Sequence, residues 1–477
     1  MKLGKFYCKE FYYFCSMKRT FTILFILLSA LGKGYGQDSL KFTKTQLAED
    51  ITFFIKNASE IHPNLYHSIS EKQLTYKVDS LVHSLPDSLT ASMTYRTLAQ
   101  VTALINEGHT GANAPLYVKN KINNGSFDAI PFQAIDYDNA TFIGNLMIPG
   151  AKLSNIAVSS INGVGAATIF NEMTALKGGL GSFRKVSVNK YFRFYLAVIG
   201  IKQPYIISYK DENHHIRQVT VGNMRELDYL AAISKPKDAR DYTYEVIGNS
   251  IGCLNFKSMS DYNHFVLFCD SVFQSINQRH IHKLVVDLRE NGGGNSALGM
   301  YLLNYITQRP YRMAGNSERK VSQQFKDQIL KPANRQLYGD TYNEYLKMKN
   351  GEFWQVGGND LIRPDSMTNR FNGRVCFLIG PYTFSSANML AATIKDYALA
   401  PLIGEPTGEP GNDYGELCNI KLPQTGWITF TSTTYWVRPN NDKADHNAII
   451  PDYFVKRTSL KGDNVLDYAM EFLGSKK

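Results

Sequence analysis

Two turns in the second half of the chain contain residue types that suit chemistry on a carbonyl group. Residues 287–295 (DLRENGGGN) include three consecutive glycines, and residues 383–388 (TFSSAN) include two adjacent serines. Each turn follows an apolar run typical of a buried strand and precedes a helical pattern. Because ligands of open α/β sheets bind beyond the carboxyl ends of the strands, we expect both turns to lie at a binding site.

Each turn has two interpretations when it is taken alone. Gly292 and Gly293 can present main-chain N–H groups to a cavity, as an oxyanion-binding wall requires, or they can form a flexible connection. Ser385 can be a nucleophile at a helix N-terminus, or it can simply cap that helix. The glycine run matches neither the GxGxxG pattern of dinucleotide sites nor the GxxxxGK[ST] pattern of phosphate-binding loops.

Together the two turns resemble the S41 family of serine peptidases, the group of C-terminal-processing and tricorn-core peptidases. DLRENGGG is similar to the family signature DLR-x-N-x-GG, and TFSSAN is similar to its T-A-S-A-S-E turn. The downstream GEPTG is similar to the family's GEPTFG stretch. The resemblance implies that Ser385 is the nucleophile. It also implies an oxyanion hole made by the N–H of Ser386 and by a glycine N–H from Gly292 or Gly293.

The resemblance, which extends over roughly residues 245–455, also bears on the general base. The Ser/Lys branch of the family places its lysine in GEPTFGKG, but Pro410 stands at that position here. Proline cannot accept a proton. The Ser/His branch carries a histidine in a D-G-H-T-like turn, which residues 107–110 (EGHT) match. This likeness implies that His109 takes the proton of the nucleophile.

The Ser/His branch orients its histidine with an acid that lies shortly before a G-x-x-P-D motif. In this sequence the residue at that position is Asp445, with Glu405 and Glu416 as alternatives. A carboxylate in this role fixes the imidazole tautomer and stabilises the imidazolium ion. The sequence therefore predicts a Ser385–His109–Asp445 triad.

Departures from the family pattern leave other functions open. Gly108 stands where the Ser/His branch has a serine beside the histidine, and Asn388 replaces a common glutamate. The alternative function is therefore a catalytically inactive protein of the same fold that binds peptides or another ligand. A third hypothesis is an acyl-transfer enzyme of crotonase-like fold, which would use the glycine N–H groups but would not need the serine turn.

The hydrophobic patterns predict the elements that position these residues. Residues 37–124 have helical spacing and place His109 in a loop after a helix. Residues 125–240 consist of short β-type runs, and part of them resembles the family's PDZ-like domain. Residues 241–477 alternate apolar strands with helices, which indicates a mainly parallel sheet covered on both faces. We predict an α/β protein with a ClpP/crotonase-like catalytic domain, a helical N-terminal region and a small β-rich PDZ-like domain.

The N-terminus accounts for half of the net charge of +10. Residues 1–36 contain six Lys or Arg residues against one Glu, a net charge of +5. From Met17, the predicted initiator, they have the form of a secretory signal peptide with cleavage between Gly36 and Gln37. The apolar run at 20–31 is shorter than the roughly 20 residues that span a bilayer. We expect an exported protein, periplasmic or secreted, with no stable membrane span in the mature chain.

The remaining charges and the cysteines indicate no further partner. The charges are dispersed without a Lys/Arg-rich block, so we expect no nucleic-acid binding. Four widely spaced cysteines follow residue 36, and their apolar neighbours favour buried thiols. No histidine or cysteine spacing is typical of a zinc site. We predict no metal and no cofactor, and a peptide or protein as the substrate.

Overall fold

The structure is a computed structural model that describes residues 41–211, 213–233, 240–248, 250–332, 334, 342–356, 360–458 and 462–474. The described residues form two units. The N-terminal unit takes its residues from Tyr35–Lys237 and Leu417–Ser432, and the C-terminal unit takes its residues from Asp238–Glu416 and Thr433–Lys477. The predicted signal peptide and its cleavage site lie outside the described residues.

The N-terminal unit begins with the helical region that the sequence predicts. Its first helix is fixed by a capping box, because the Thr43 hydroxyl accepts the N–H of Gln46 at 3.1 Å and the Gln46 side chain accepts the N–H of Thr43 at 2.9 Å. Its buried face includes Leu47, Ile51 and Phe54, at helical spacing. The helices of this unit are α1 (Lys44–Ile61), α2 (Glu71–His83), α3 (Ala91–Ala103), α4 (Leu116–Asn123), α5 (Ala166–Thr174), α6 (Gly181–Lys190), α7 (Phe192–Val198) and α8 (Glu226–Ile233).

A β-rich part follows the helical region, within the range in which the sequence predicts a PDZ-like module. Its main sheet is antiparallel with the order β10-β9-β7-β6-β5, and β8 pairs with β7. Phe132, Phe142 and Phe192 are buried in its core. The strands of this unit are β1 (Lys41–Thr43), β2 (Ser88–Thr90), β3 (Gly111–Ala112), β4 (Asp128–Ala129), β5 (Phe132–Asp138), β6 (Thr141–Ile148), β7 (Ala151–Ile161), β8 (Val164–Gly165), β9 (Tyr205–Lys210), β10 (Ile216–Val221) and β11 (Met224–Arg225). The specific likeness to a PDZ domain stays a prediction.

A buried carboxylate joins α1 to the distant segment Leu417–Ser432 of the same unit. Both oxygens of Asp50, which is fully buried, accept main-chain N–H groups, from Gln424 at 2.8 Å and from Thr425 at 2.9 Å. Charge-assisted hydrogen bonds of this kind are stronger than neutral ones. They tie together segments that are more than 370 residues apart in sequence.

The C-terminal unit contains the α/β sheet that the sequence predicts. Its strand order is β12-β13-β14-β17-β18-β21, in which β12 is antiparallel to β13 and all the other pairs are parallel. The strands of this unit are β12 (Tyr242–Ile247), β13 (Ile251–Phe256), β14 (Lys283–Asp287), β15 (Ser317–Lys320), β16 (Phe353–Val356), β17 (Arg374–Ile379), β18 (Leu402–Gly404), the first residues of β19 (Asp413–Lys421), the last residues of β20 (Ile428–Trp436), and β21 (Tyr453–Phe454).

Helices cover both faces of this sheet. Alternate residues of one strand face opposite sides, so that Leu284 and Val286 belong to one core and Val285 to the other. The first core contains helices α9, α10 and α13, and the second contains α14. The helices are α9 (Tyr262–Gln278), α10 (Ala297–Ile306), α11 (Gln323–Leu330), α12 (Asn343–Lys347), α13 (Ser386–Asp396) and α14 (Asn464–Gly474). The α/β class predicted from the sequence is confirmed.

Two further properties concern the described residues as a whole. None of their helices is long and apolar enough to cross a membrane. The four described cysteines are free and buried, as the sequence predicts; they are Cys253, Cys269, Cys376 and Cys418.

The contacts of Asp50 predict a measurable loss of stability. Replacing Asp50 by Ala is expected to lower the free energy of unfolding of the N-terminal unit by about 1–3 kcal/mol, because two main-chain N–H groups lose a charged acceptor. Urea unfolding followed by tryptophan fluorescence measures this, since Trp427 packs on Phe42 at 5.3 Å between ring centroids. The matched control is Glu49→Ala, which removes only an exposed contact with the Gln424 side chain at 2.7 Å. Equal losses in the two variants would contradict this account.

Candidate active site

The parallel register brings the glycine turn and the serine turn to one edge of the sheet. Asp287 at the end of β14 lies opposite Asn255 of β13 on one side and opposite Leu378 of β17 on the other. The glycine turn leaves β14 directly after this point, and the serine turn leaves β17 a few residues later. Two motifs about 95 residues apart in sequence therefore become neighbours, as expected at the carboxyl edge of a parallel sheet.

Asn291, in the glycine turn, connects the two turns to the sheet. Its side chain is fully buried and donates to the carbonyl oxygen of Phe256 at 2.8 Å, while its Oδ1 accepts the N–H of Gly293 at 2.9 Å. Its own carbonyl oxygen accepts the N–H of Phe384 at 3.0 Å. Each polar atom of this side chain has a partner, which a fully buried amide requires.

Ser385 occupies an unusual backbone conformation directly before helix α13. Its φ is 54° and its ψ is −128°, a region that a residue with a side chain rarely adopts. Its side chain makes no capping hydrogen bond to α13, so the interpretation of Ser385 as a side-chain cap does not describe this residue. Thr383, two residues before Ser385, is held firmly, because its hydroxyl donates to the carbonyl oxygen of Leu288 at 2.9 Å. Strained conformations held by their surroundings are typical of functional sites.

Gly293 packs directly against the serine turn. Its φ is +94°, and a Cβ atom at this position would lie 2.6 Å from the Cβ of Ser385 and 3.0 Å from the main-chain nitrogen of Ser386. The neighbouring Gly292 lies beside the Tyr382 ring, 3.2 Å from where its own Cβ would be. Glycine is therefore required at 293 both for its backbone conformation and for the space beside Ser385.

The hydrogen bonds of the turns distinguish among the predicted oxyanion donors. The N–H of Gly293 is donated to Asn291 at 2.9 Å, and the N–H of Ser385 is donated to Glu409 at 2.5 Å. Among the hydrogen bonds within the described part of the chain, none uses the N–H of Gly292 or of Ser386. An unpaired N–H is normal at the first residue of a helix such as α13. Of the predicted donors, Gly292 and Ser386 are the ones available to a ligand.

The position of the family's lysine is held by structural contacts. Pro410 forms an isolated antiparallel bridge with Ala448, and its carbonyl oxygen accepts the side-chain amide of Asn388 at 2.7 Å. Lys395, on helix α13, forms an ion pair with Asp452. A lysine base is therefore not provided by either of these positions.

Asp445 lies in the C-terminal unit, where its carboxylate already has partners. One oxygen accepts the main-chain N–H of Asn447 at 3.0 Å and its side-chain amide at 2.9 Å, and the other contacts Arg438. The hydrogen bonds from Asn447, with the charge of Arg438, hold the pKa of Asp445 below its ordinary value despite partial burial. Asp445 is thus ionised at neutral pH.

The alternative acids have other partners. Glu405 accepts the main-chain N–H of Arg457 at 3.3 Å, and Glu416 lies 3.6 Å from the guanidinium of Arg319. The triad of Ser385, His109 and an acid stays a prediction, because His109 belongs to the N-terminal unit.

His109 lies in a turn after helix α3 that is anchored by the neighbouring Glu107. Both oxygens of the buried Glu107 side chain accept the hydroxyl of Ser432, at 3.0 and 2.9 Å. One of them also accepts the hydroxyl of Thr110 and lies 3.5 Å from Nε2 of His62. One carboxylate thereby contacts three side chains near His109, those of Ser432, Thr110 and His62.

The surroundings of Glu107 set its pKa. Burial alone would raise it, but the hydrogen bond and charge of His62, the charge of His109 and the hydroxyl of Thr110 outweigh burial and lower the pKa to about 2. Glu107 is therefore a buried carboxylate that is charged throughout the physiological pH range.

Three residues of the site were not predicted from the sequence to have a role, namely Asn291, Glu107 and Glu409. Each is a polar residue inside a motif in which a different residue was predicted to be functional. The available signal was a Glu two residues before His109 and a Glu beside Pro410, both in glycine-containing turns. Only their burial in the structure distinguishes them from exposed turn residues.

Part of the chain is similar to a known peptidase family, and the chain as a whole is similar in structure to solved proteins. Residues 250–455 match the model of peptidase family S41. Mature CPAF is similar in structure, with 14% identity, a TM-score of 0.64, and coverage of 90% of this chain and 96% of that chain. CPAF complexed with lactacystin gives 15% identity, a TM-score of 0.64, and coverage of 90% and 97%. The photosystem II D1 C-terminal processing protease gives 11% identity, a TM-score of 0.45, and coverage of 91% and 97%. A search of curated proteins finds no match.

The likeness to CPAF shows that the chain shares its fold, and the α/β architecture agrees with this. The match to the model of peptidase family S41 is confined to residues 250–455, less than half of the 477-residue chain. Among the residues that the structure describes, no group of three or more His, Cys, Asp or Glu side chains is placed to hold a metal ion.

The packing of Gly293 predicts the result of adding a single methyl group. Gly293→Ala is expected to lower kcat/KM for a peptide substrate at least 100-fold, because the new Cβ must displace Ser385. Gly351→Ala is the matched control, since Gly351 has a φ of +92° and nothing lies within 4 Å of its Cβ position. The control therefore has the same backbone strain without the contact. Similar activity in the two variants would show that contact with Ser385 is unimportant.

The charge of Glu107 predicts a pH dependence of stability. Its pKa is about 2 in the folded chain against an ordinary value of 4.5, so its contribution is fully present above pH 4.5 and is lost as the pH falls towards 2. This contribution amounts to about 3 kcal/mol. Unfolding measured by urea between pH 6 and 3 is expected to show a weaker acid dependence in Glu107→Gln. Glu71→Gln, at an exposed position on α2, serves as the control. Parallel pH curves for wild type and Glu107→Gln would contradict this assignment.

Proposed function

We propose that this protein is an exported serine endopeptidase, in which Ser385 is the nucleophile, His109 the general base and Asp445 the acid that orients His109. The observation that carries the proposal is Ser385 itself. It lies within the residues that match the model of peptidase family S41, has a φ of 54°, makes no capping bond, and directly precedes helix α13 beside Gly293. Such a serine presents its hydroxyl at the edge of the sheet where ligands of α/β proteins bind.

The proposed reaction follows from these roles. The Ser385 hydroxyl oxygen attacks the carbonyl carbon of the peptide bond, and its proton passes to the imidazole of His109. The negative charge that develops on the carbonyl oxygen is stabilised by the N–H groups of Gly292 and Ser386. When the intermediate collapses, the C–N bond breaks and the leaving amine takes the proton from the imidazolium. Water then attacks the acyl-enzyme by the same route and releases the carboxylic acid.

The electrostatics of the described groups agree with a serine mechanism without a lysine. Pro410 provides no base, and the ammonium group of Lys395 is paired with Asp452. Asp445 is a charged carboxylate, as an acid that stabilises imidazolium must be. The N-terminal signal pattern supports export, and the peptidase family supports a peptide or protein substrate.

A second candidate function is binding without cleavage. It is favoured by Gly108 and Asn388, which differ from the Ser/His branch of the family, and by the structural partners that Asp445 already has. In that case the edge of the sheet would hold a peptide, and Ser385 would remain unreactive.

Labelling by a fluorophosphonate distinguishes the two functions. We expect the wild-type protein to be labelled at Ser385 and to hydrolyse an unfolded protein substrate. Ser385→Ala is expected to abolish labelling and to lower kcat by about 10⁴–10⁶, as loss of a triad nucleophile does. His109→Ala is expected to have an effect of similar size, because members of a triad act together.

Lys395→Ala is the control for the choice of base and is expected to retain activity. A wild-type protein that is folded but neither labelled nor active would support the binding function. Activity that depends on Lys395 but not on His109 would refute the proposed base.

A further inference from the structure

Glu409 is a buried carboxylate in contact with the backbone of the proposed nucleophile. Its side chain is 3% exposed, and its Oε2 accepts the main-chain N–H of Ser385 at 2.5 Å. Burying a carboxylate costs free energy unless hydrogen bonds replace its hydration. A buried acid is therefore expected where its contact has a role in the structure or in the reaction.

The segment that carries Glu409 is attached to the serine turn at several points. The N–H of Gly408 is donated to the carbonyl oxygen of Thr383 at 3.1 Å, and the side-chain amide of Asn388 is donated to the carbonyl oxygen of Pro410 at 2.7 Å. The hydroxyl of Thr407 donates to the carbonyl oxygen of Glu409 at 3.0 Å. Both the main chain and the neighbours of Glu409 are thus fixed relative to the nucleophile.

The contact acts on the strained residue. With a φ of 54°, Ser385 is in a strained conformation that persists only when the surroundings hold it. A hydrogen bond from an N–H to an ionised acceptor is about twice as strong as a neutral one. The carboxylate also lies at the start of α13, where negative charge is favoured by the helix dipole. Its contact with the Ser385 N–H opposes relaxation of this backbone.

We propose that Glu409 is a positioning residue for catalysis: its carboxylate holds the backbone of Ser385 so that the hydroxyl is presented to the substrate. This inference rests on the proposed peptidase function. It also explains which N–H groups serve the oxyanion. Because the N–H of Ser385 is donated to Glu409, the transition state is left with the N–H groups of Gly292 and Ser386.

Two variants of nearly the same size separate the hydrogen bond from simple packing. Glu409→Gln keeps an oxygen that can accept the N–H of Ser385, whereas Glu409→Met fills the same space without an acceptor. We expect Glu409→Gln to retain kcat within about tenfold. Glu409→Met is expected to lower kcat by about 10²–10³ with little change in KM, since a small misplacement of a reacting group costs this much. Glu352→Ala, which removes a carboxylate acceptor of the Lys349 N–H at an exposed turn, is the control and is expected to retain activity.

The measurement is kcat per active site, with the number of competent sites titrated by a fluorophosphonate. A merely structural role would reduce the number of competent sites and leave kcat per site unchanged, and that result would overturn the proposal. Equal kcat in Glu409→Met and wild type would overturn it as well. So would a folded Glu409→Gln as inactive as Glu409→Met, because the glutamine oxygen can still accept the N–H of Ser385 and the loss would then not follow from that hydrogen bond. If Glu409→Met fails to fold, Thr407→Val takes its place, because it loosens the same turn. Thr407→Val and Glu409→Gln are then compared by kcat per site. A wild-type kcat per site in Thr407→Val would overturn the proposal.

The outcomes for the two proposals are separable. If the wild-type protein is not labelled at Ser385 and cleaves no peptide, the proposed function fails, and the role of Glu409, which rests on it, fails with it. If the wild type is labelled and active but the Glu409 variants behave as wild type, only the role of Glu409 fails.

Discussion

The backbone of Ser385 is the constraint around which the carboxyl edge of the parallel sheet is built. A serine does not adopt a φ of 54° by its own preference, so the residues on each side must hold it. The carbonyl oxygen of Asn291 accepts the N–H of the preceding Phe384, and the side chain of Glu409 accepts the N–H of Ser385. Helix α13 begins at the next residue. Gly293 has no side chain and so leaves the space into which Ser385 fits. The glycine turn, the serine turn and the Glu409 segment are consequently held together by direct contacts.

The register of the parallel sheet makes this arrangement possible. Its strands are buried on both faces, so a shift by one residue would move apolar side chains from one core to the other. The register is fixed by this burial rather than by the turns. With it fixed, β14 and β17 end side by side, and the turns that follow them meet. The geometry of the candidate site is thus a consequence of packing in the core.

Buried carboxylates have parallel roles in the two units. In the N-terminal unit Glu107 accepts hydroxyl groups from Ser432 and Thr110 beside His109, and in the C-terminal unit Glu409 accepts the N–H of Ser385. In both cases the cost of removing the charge from water is offset by hydrogen bonds to groups of the turn. Glu107 lies two residues before His109, and Glu409 is hydrogen-bonded to Ser385, so each acid is next to a proposed catalytic residue. A rigid turn around a reactive side chain is what such an arrangement provides.

The sequence by itself determined the fold class and the motifs. The alternation of apolar strands and helices depends on the period of the side chains, and it predicted the α/β sheet. The glycine run and the serine turn were recognisable because their backbone chemistry needs particular residue types at adjacent positions. The roles of Asn291, Glu107 and Glu409 were decided only by the tertiary structure. Nothing local distinguishes a buried carboxylate from one in an exposed turn, because burial and hydrogen-bond partners come from segments that are distant in sequence. The same reason applies to the predicted oxyanion donors, since only the folded chain shows that the N–H of Gly293 is donated to Asn291.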